Sequence, residues 1–297
     1  MFALLWIPAT IAASIFQVGR NALQRGLMGS GGPWGATLVR FLFGLPFSVL
    51  FVAIAAWLTP DRDPHFTTAF WMAAISGAIA QVLATASLLV AMRRAGFAVG
   101  TALQQSSLPL AALLGLIVYH DRLSPVAWIG VGITSAALVI LTWPDRTATG
   151  AQPISGAAFG LLSGLCFGFS LNAFRHAGLA LDVRHPPFAA LTSVMVVQAM
   201  QAATLTLILA LRDRQTLRSV ITGWRGSLSA GLCGACASAG WFFALALSPA
   251  APVRALGVIE APIAALAGHR LFKERLHARQ LLAGCAVVIG ILLTSLY

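Results

Sequence analysis

Charged side chains are scarce in this chain: Asp, Glu, Lys and Arg together make up 9% of its 297 residues, where a typical soluble domain has about 25%. Hydrophobic residues reach 59% of the chain, and its mean hydropathy is +0.86. This composition excludes a cytosolic enzyme, a disordered tail, a disulfide scaffold and a collagen-like fibre. It indicates a polytopic membrane protein, which we expect in the cell inner membrane.

Motifs that would indicate a cofactor or a metal are absent from the sequence. It has no G-x-x-x-x-G-K-S/T phosphate loop and no H-E-x-x-H zinc motif. All four cysteines lie in apolar stretches, which favours a packing role over a metal or redox role. They are Cys166, Cys233, Cys236 and Cys285. We expect no cofactor and no metal, and direct use of ATP would require a partner.

Basic residues outnumber acidic ones, and the formal net charge is +11. The 18 arginines and the single Lys273 are nevertheless scattered through short connections, without the basic helix face that binds nucleic acid. We therefore expect a lipid bilayer and a small-molecule substrate as partners, and no nucleic acid. Both a monomer and a homodimer remain open. Because no basic residue precedes the first apolar stretch, we expect no cleavable signal peptide.

Apolar stretches of membrane-spanning length follow one another along the whole chain. They are separated by turn residues such as Gly29-Ser30-Gly31-Gly32-Pro33, Pro60-Asp61 and Ser248-Pro249. They are about twice as long as barrel strands and lack alternation of period two, so we predict helices. A span needs about 20 apolar residues, and ten spans leave no room for a soluble domain. The ten predicted spans are 2–24, 36–58, 69–92, 97–119, 124–143, 154–176, 188–211, 226–247, 250–271 and 279–296.

The two halves of the chain resemble each other at an offset of 153 residues. This offset places Trp71 on Trp224 and Pro109 on Pro262, and a similar offset of 151 places Asn21 on Asn172. At the first offset, an acidic residue followed by Arg and Leu also recurs, as Asp121-Arg122-Leu123 and Glu274-Arg275-Leu276.

The repeat predicts an all-α fold of ten transmembrane helices, built as two five-helix units over residues 1–146 and 147–297. Because each unit has an odd number of spans, the second unit must insert upside down relative to the first. Inverted repeats of this kind are typical of secondary transporters, which move one repeat against the other around a midplane site.

At these motifs the sequence resembles the drug/metabolite transporter (DMT) superfamily, EamA type. The resemblance covers almost the whole chain. It rests on Arg40-Phe41-Leu42, on the Pro109 and Pro262 helices, and on the Gly-rich helices that follow the turns His120-Asp121-Arg122-Leu123 and Lys273-Glu274-Arg275-Leu276. The first turn has Asp121 where Glu is usual in the family. The resemblance implies ten helices in two five-helix repeats and the export of amino acids, drugs, nucleosides or other metabolites.

Lys and Arg in short loops favour the cytoplasmic side of a membrane. The odd-numbered connections between the predicted spans hold twelve basic residues, and the even-numbered connections hold three. This asymmetry predicts that the odd connections are cytoplasmic and that both termini lie outside, opposite to the better-known members of the family.

Polar side chains inside the spans are costly and therefore point to a site. Span 1 carries Gln17, Arg20, Asn21 and Gln24 on one helical face. This face either lines a hydrophilic pathway or, for Arg20 and Gln24, reaches water at the membrane edge. Span 6 has a similar stripe beginning at Asn172. Span 4 carries Gln104 and Gln105, which bind either substrate or a neighbouring helix.

Glu260 in span 9 is the one acidic residue well inside a predicted span. Burial disfavours the charged form of a carboxyl, so this side chain can exchange a proton for a substrate. The alternative is a structural ion pair with Arg20, Arg40 or Arg254. Arg254 is six residues away, about 120° around a helix, so we expect Arg254 and Glu260 to point in different directions into one cavity.

Other polar candidates complete the predicted site. The residues proposed to bind substrate are Gln17, Arg20, Asn21, Arg40, Gln81, Gln104, Gln105, Asn172, Trp241 and Arg254. Trp241 either stacks on a planar ligand or packs in the core. Four in-span arginines against one glutamate favour a substrate with a carboxylate or phosphate, which guanidinium groups bind in forked geometry.

These residues predict a proton-coupled exporter of a small anionic or zwitterionic metabolite, such as an amino acid or organic acid. Alternating access would come from the two repeats, with Glu260 as the proton-coupling residue. The alternatives are a passive channel and an intramembrane enzyme. The enzyme is disfavoured because no metal-spaced His/Asp group lies within a span, and we expect no catalytic residue.

Overall fold

A computed structural model describes residues 4–108, 116–117, 124–142 and 153–273, together with 282, 285–286, 289–290 and 293. The structure is 89% helical, and no strand occurs in the part of the chain that it describes, which confirms the all-α fold. Its helices are α1 (Trp6–Leu42), α2 (Leu45–Leu58), α3 (Thr68–Ala95), α4 (Phe97–Gln104), α5 (Pro125–Thr142), α6 (Pro153–Leu181), α7 (Pro186–Arg212), α8 (Arg214–Thr222), α9 (Trp224–Leu247), α10 (Ala250–Gly257) and α11 (Glu260–Phe272).

Six helical segments of the described chain are long and apolar enough to cross a membrane. They are Gly31–Leu58, Thr68–Ala95, Ile154–Leu181, Pro186–Arg212, Trp224–Leu247 and Pro252–Phe272. The first predicted span is helical too, but its polar stripe lowers its hydropathy. Much of span 4 and most of span 10, with Pro109 and both acid-Arg-Leu turns, lie outside the described residues. The polytopic helical fold is confirmed, whereas ten spans remain a prediction.

The glycine-rich segment at residues 29–33 was expected to separate spans 1 and 2, and it is a kink within α1. Helical backbone continues on both sides of Gly32, whose φ is 60° and ψ is −170°. This conformation is open to glycine and is strained for other residues. Pro33 follows directly and begins the next helical stretch, where its missing N–H costs little. The prediction of a break at this point is therefore confirmed, with a sharp bend in place of a loop.

Span 9 was predicted as one helix, and the structure divides it into α10 and α11. The helical path is interrupted at Val258 and Ile259. The first-half counterpart is interrupted in the same way, because α4 ends at Gln104. The bounds of α4 and α10 differ by 153 residues at both ends, which is the offset of the sequence repeat. An internal repeat would produce this correspondence.

Backbone hydrogen bonds at the two interruptions also correspond. The amide of Leu108 donates to the carbonyl of Gln105 at 3.0 Å, and the amide of Ala261 donates to that of Val258 at 2.8 Å. In each case the residue four positions after the acceptor is a proline, which has no N–H for the α-helical bond. The amide one residue before each proline donates to that carbonyl instead. The prolines therefore account for the tightened turns, in which the bond joins residues three apart.

The described chain forms two compact units, each with segments from both halves of the sequence. Unit 1 comprises Met1–Val82 and Ser170–Ser248, and unit 2 comprises Leu83–Phe169 and Pro249–Tyr297. These units are defined by contact, whereas the five-helix repeats are defined by sequence similarity. The boundary between 146 and 147 therefore stays a prediction.

Unit 1 is held together by aromatic and small side chains. The rings of Phe174 and Phe242 stack with centroids 4.4 Å apart, in a buried cluster that includes Phe70. Helix α9 packs closely on α1, because a Cβ at Gly240 would lie 2.9 Å from the Cβ of Ala13. Close packing at small residues is the usual means of helix association in a bilayer.

Unit 2 has its own core where the interrupted helices meet. Leu108, Val131 and Val258 are buried together there. At one end of the unit, the rings of Phe97 and Phe272 lie 5.2 Å apart. The start of α4 and the end of α11 are therefore neighbours.

In unit 1, even-numbered connections between the predicted spans lie beside each other, and so do odd-numbered ones. The turn between α2 and α3 meets the turn between α6 and α7, where the His65 amide donates to the Leu181 carbonyl at 2.8 Å. Helix α7 begins at this place and ends at α8, which packs against the kink of α1. A Cβ at Gly35 would lie 3.0 Å from Cγ2 of Thr216. Predicted connections 2 and 6 therefore meet at one end of α7, and connections 1 and 7 meet at the other.

Candidate functional site

The polar stripe of α1 is buried inside unit 1, against α9. The four stripe residues, each at most 4% exposed, are Gln17, Arg20, Asn21 and Gln24. The indole Nε1 of Trp241 on α9 donates to Oε1 of Gln17 at 3.0 Å, and Nε2 of Gln24 donates to the Ala36 carbonyl at 2.6 Å. Arg20 and Gln24 therefore do not reach out to water at the membrane edge, and Trp241 has a polar contact within the protein.

Two buried guanidinium side chains pass over the same glycine of α9. Nη2 of Arg20 donates to Oδ1 of Asn21 at 2.6 Å, and Nη2 of Arg40 approaches Oγ of Ser238 at 3.4 Å. A Cβ at Gly234 would lie 3.2 Å from Cγ of Arg40 and 3.5 Å from Cδ of Arg20. The absence of a side chain at Gly234 thus makes room for two cationic side chains, which together can bind a carboxylate or phosphate.

The remaining predicted residues of unit 1 are buried as well. Nε2 of Gln201 donates to Oε1 of Gln81 at 2.9 Å, which joins α7 to α3. Asn172 is 1% exposed on α6. The sequence analysis did not identify Ser238 near Arg40, because a lone serine in an apolar helix carries no distinguishing pattern.

A ring of polar side chains in unit 2 surrounds the interruption between α10 and α11. Nη1 of Arg254 lies 3.2 Å from Oε1 of Glu260, and Nη2 of Arg254 donates to Oε1 of Gln105. Nε2 of Gln105 donates in turn to Oε2 of Glu260 at 3.0 Å. Nε of Arg254 also donates to Oγ of Ser107 at 2.7 Å. Each of these four side chains is at most 2% exposed.

The expected divergence of Arg254 and Glu260 is wrong. The angular argument assumed an unbroken helix, whereas the two residues lie on different helices with Val258 and Ile259 between them. Between them, the amides of Val258, Ile259 and Ala261 donate to carbonyls three residues earlier. A helix with about three residues per turn brings positions six apart towards the same face, so Arg254 meets Glu260. The structural ion pair considered from the sequence is thus present, with Arg254 as the partner.

Helix α4, which ends one residue before Gln105, contributes two further buried polar atoms. Oε1 of Gln104 and Oγ1 of Thr101 have no hydrogen-bond partner among the described residues. Ser107, which contacts Arg254, was missed by the sequence analysis. A signal for it existed, because the repeat offset of 153 aligns Ser107 with Glu260.

The ring in unit 2 brings a cationic and an acidic side chain together inside the protein. With Glu260 ionised, the carboxylate offsets the guanidinium of Arg254. One oxygen of Glu260 contacts this cation, and the other accepts a hydrogen bond from the neutral amide of Gln105. In the part of the chain that the structure describes, no three His, Cys, Asp or Glu side chains form a metal-binding group.

Comparison with known proteins agrees with this architecture. Residues 154–296 match the EamA-like transporter family. A protein of known crystal structure superimposes with a TM-score of 0.66 at 17% sequence identity, and the match covers 99% of this chain and 98% of the other. At this identity the likeness shows a shared fold alone. No curated protein sequence matches the chain.

Proposed function

Because residues 154–296 form an EamA-like transporter domain, which belongs to the drug/metabolite transporter superfamily, we propose that this chain is a secondary-active exporter of a small metabolite. The family indicates a membrane transporter. The finer proposal is that the substrate is anionic or zwitterionic, that protons drive its export, and that alternating access of two inverted repeats moves it. We place the protein in the cell inner membrane.

The ring of Arg254, Gln105 and Glu260 carries the proposal of proton coupling. Oε2 of Glu260 accepts a hydrogen bond from the neutral Gln105 amide at 3.0 Å, while Arg254 occupies Oε1. If a proton and a substrate ammonium group compete for Oε2, each must leave before the other binds. Competition at one site produces exchange, and an inward proton gradient then drives the substrate outward.

The paired arginines of unit 1 support an anionic group on the substrate. Arg20 and Arg40 are fully or almost fully buried, and both lie against Gly234. A guanidinium group binds carboxylate or phosphate with two parallel hydrogen bonds. A substrate that carries a carboxylate or a phosphate, such as an amino acid or an organic acid, matches the charge of these two groups.

The experiment begins with purified protein and a thermal-shift screen of amino acids, organic acids, phosphorylated metabolites and cationic dyes. A stabilising compound is then tested in proteoliposomes, with transport driven by a pH gradient and, separately, by counterflow exchange. For Glu260→Gln we expect loss of gradient-driven transport. Counterflow should stay measurable, at higher substrate concentrations because the carboxylate that would bind the ammonium group is gone, and it also shows that the variant is folded. Asp61→Asn, an exposed carboxylate-to-amide change, is the matched control. Gradient-driven transport at the normal rate in Glu260→Gln would remove the coupling role.

A second arm of the same experiment tests the substrate charge. Arg20→Gln should weaken an anionic ligand about tenfold, because a hydrogen bond to a charged group contributes about 1.5–3 kcal/mol, and should weaken a neutral analogue much less. Arg93→Gln, at an exposed position, is the control. Equal losses for both ligands would contradict the proposed anion recognition. Flux that ignores the proton gradient would favour a channel, and product formation without transport would favour an enzyme.

A further inference from the structure

A groove of about 660 Å³ lies on unit 1, between the kink of α1 and the end of α7. Glycines form much of its α1 side. Gly29 and Gly31 have no side chains to fill it, and the kink at Gly32 turns the helix away. The nearby Gly35 allows α8 to approach, since a Cβ there would lie 3.0 Å from Cγ2 of Thr216. The groove is therefore a built feature of the kinked helix and its neighbour.

The lining of the groove changes from apolar to polar along α7. Leu205, Ile208 and Leu209 line one part, and Arg212 lies at the end of the helix. Seven residues of α-helix span about 10 Å, which is comparable to part of an acyl chain. Gln215 and Thr216 of α8 continue the polar part. Because α7 is a membrane-spanning helix that ends at Arg212, the polar part lies where a span meets the lipid headgroups.

The surroundings of the polar end are basic and aromatic. The arginines of this segment are all exposed, and they are Arg212, Arg214, Arg218 and Arg225. The exposed Trp224 lies beside them, with the guanidinium of Arg225 5.5 Å from the centroid of its ring. Tryptophan and arginine are typical of the membrane–water interface, and basic clusters there attract anionic lipids.

Asp213 also lines the groove and offsets part of this charge, but one aspartate stands against four arginines. Asp213 caps α8, where its Oδ1 accepts from the Thr216 amide at 3.0 Å and its Oδ2 accepts from the Thr216 hydroxyl at 2.7 Å. Its carboxylate is thereby directed to the first turn of α8. This end of the groove therefore keeps a net positive charge, with Arg212 in its lining.

We infer that this groove binds one anionic phospholipid, with the headgroup phosphate at Arg212 and an acyl chain along Leu205, Ile208 and Leu209. The occupant is a lipid because the groove is open to the apolar surface of a membrane-spanning helix. Ile208 is 44% exposed, and the neighbouring Leu207 and Leu211 are more exposed. The lipid is anionic because the polar end carries arginines. A bound lipid would fix the contact between α1, α7 and α8.

Native mass spectrometry of the detergent-purified protein tests the inference. The full chain is incubated with palmitoyl-oleoyl phosphatidylglycerol or with phosphatidylcholine of the same chains, and the retained lipid is measured. We expect a preference for phosphatidylglycerol that falls about fivefold in Arg212→Gln, since one interfacial charge contributes about that factor. Arg212→Lys should keep most of the preference. The matched control Arg93→Gln should leave it unchanged.

Filling the apolar part tests the acyl-chain contact separately. Ile208→Trp should reduce retention of both lipids, whereas inorganic phosphate alone should neither stabilise the protein nor displace phosphatidylglycerol. An unchanged preference in a monodisperse Arg212→Gln protein would overturn the inference. Displacement by inorganic phosphate would overturn it as well, because it would show a phosphate site that needs no acyl chain. These measurements do not depend on transport, so they succeed or fail independently of the proposed function.

Discussion

At the scale of single residues, hydrogen bonds and ion pairs offset the desolvation cost of the buried charges in this protein. Glu260 and Arg254 satisfy each other across a helix interruption, with Gln105 closing the ring. An intact buried ion pair adds little stability, whereas removing one partner costs about 3–5 kcal/mol. The pair is therefore weak evidence of a stabilising role, and its position beside a helix break is what favours a functional one.

Asp182 is a second polar residue whose role depends on many hydrogen bonds. Its carboxylate accepts from the amides of Arg184, His185 and Asp63, and it lies 2.9 Å from Nδ1 of His185. Burial raises the pKa of this carboxyl, but the hydrogen bonds from His185 and Asp63 outweigh that effect, and the net pKa lies below its usual value.

Asp182→Asn should therefore destabilise the protein in a pH-dependent way. A lowered pKa in the folded state stabilises the protein above the unfolded-state value of about 3.9, and this contribution is lost as pH falls through the folded-state pKa. We expect the variant's free energy of unfolding to be lower by about 1–3 kcal/mol at pH 7. This difference should shrink as the pH falls through the folded-state pKa. Thermal unfolding in detergent over this pH series measures it, with Asp61→Asn as control. A constant difference at all pH values would contradict the assignment.

At the scale of helices, the same chemical devices recur in the two halves of the sequence. Helices α4 and α10 end at equivalent positions, and the tightened hydrogen bonds beyond them involve residues four before a proline. The kink of α1 uses a different device, in which Gly32 adopts a positive φ. The interruptions beyond α4 and α10 place the polar side chains of Gln105 and Glu260 at helix ends.

Replacing Gly32 by alanine should destabilise the kink. Its backbone angles are strained for a residue with a Cβ, and such strain costs about 1–3 kcal/mol. Gly26→Ala is the matched control, because it lies in regular α1 helix with nothing within 4 Å of an added Cβ. It should be neutral or slightly stabilising. Thermal unfolding of both variants in detergent makes the comparison, and equal effects would show that the kink does not require glycine.

At the scale of the whole molecule, charge is distributed unevenly between the two ends of α7. The end where α7 begins carries Arg62 and Arg184 together with Asp61, Asp63 and Asp182. The end where it finishes carries Arg212, Arg214, Arg218 and Arg225 together with Asp213. By the tendency of basic loops to stay in the cytoplasm, we propose that α7 runs from the outside to the cytoplasm.

Thiol labelling in intact cells tests this orientation. In a variant without the four native cysteines, Asp61→Cys should react with a membrane-impermeant maleimide from outside. Thr222→Cys should react only after the membrane is permeabilised. Both positions are exposed and lie in unit 1, so they form a matched pair. The reverse labelling pattern would show that the basic end is external and that the odd-numbered connections are not cytoplasmic.

The sequence alone was sufficient for the features that depend on local composition. Long apolar runs predicted helices, the glycines before Pro33 predicted a break, and the 3.6-residue period placed Gln17, Arg20, Asn21 and Gln24 on one buried face. These inferences hold because hydropathy, helix periodicity and backbone restriction act over a few residues.

The partners of the buried polar groups were decided only by the tertiary structure. Helical arithmetic separated Arg254 from Glu260, and the interruption at Val258 and Ile259 brought them together. Ser107 and Ser238 became visible only through contacts with arginines that are distant in sequence. Which helix packs against which, and where a glycine leaves room for a charge, depends on the fit of surfaces far apart along the chain. No local pattern contains that information.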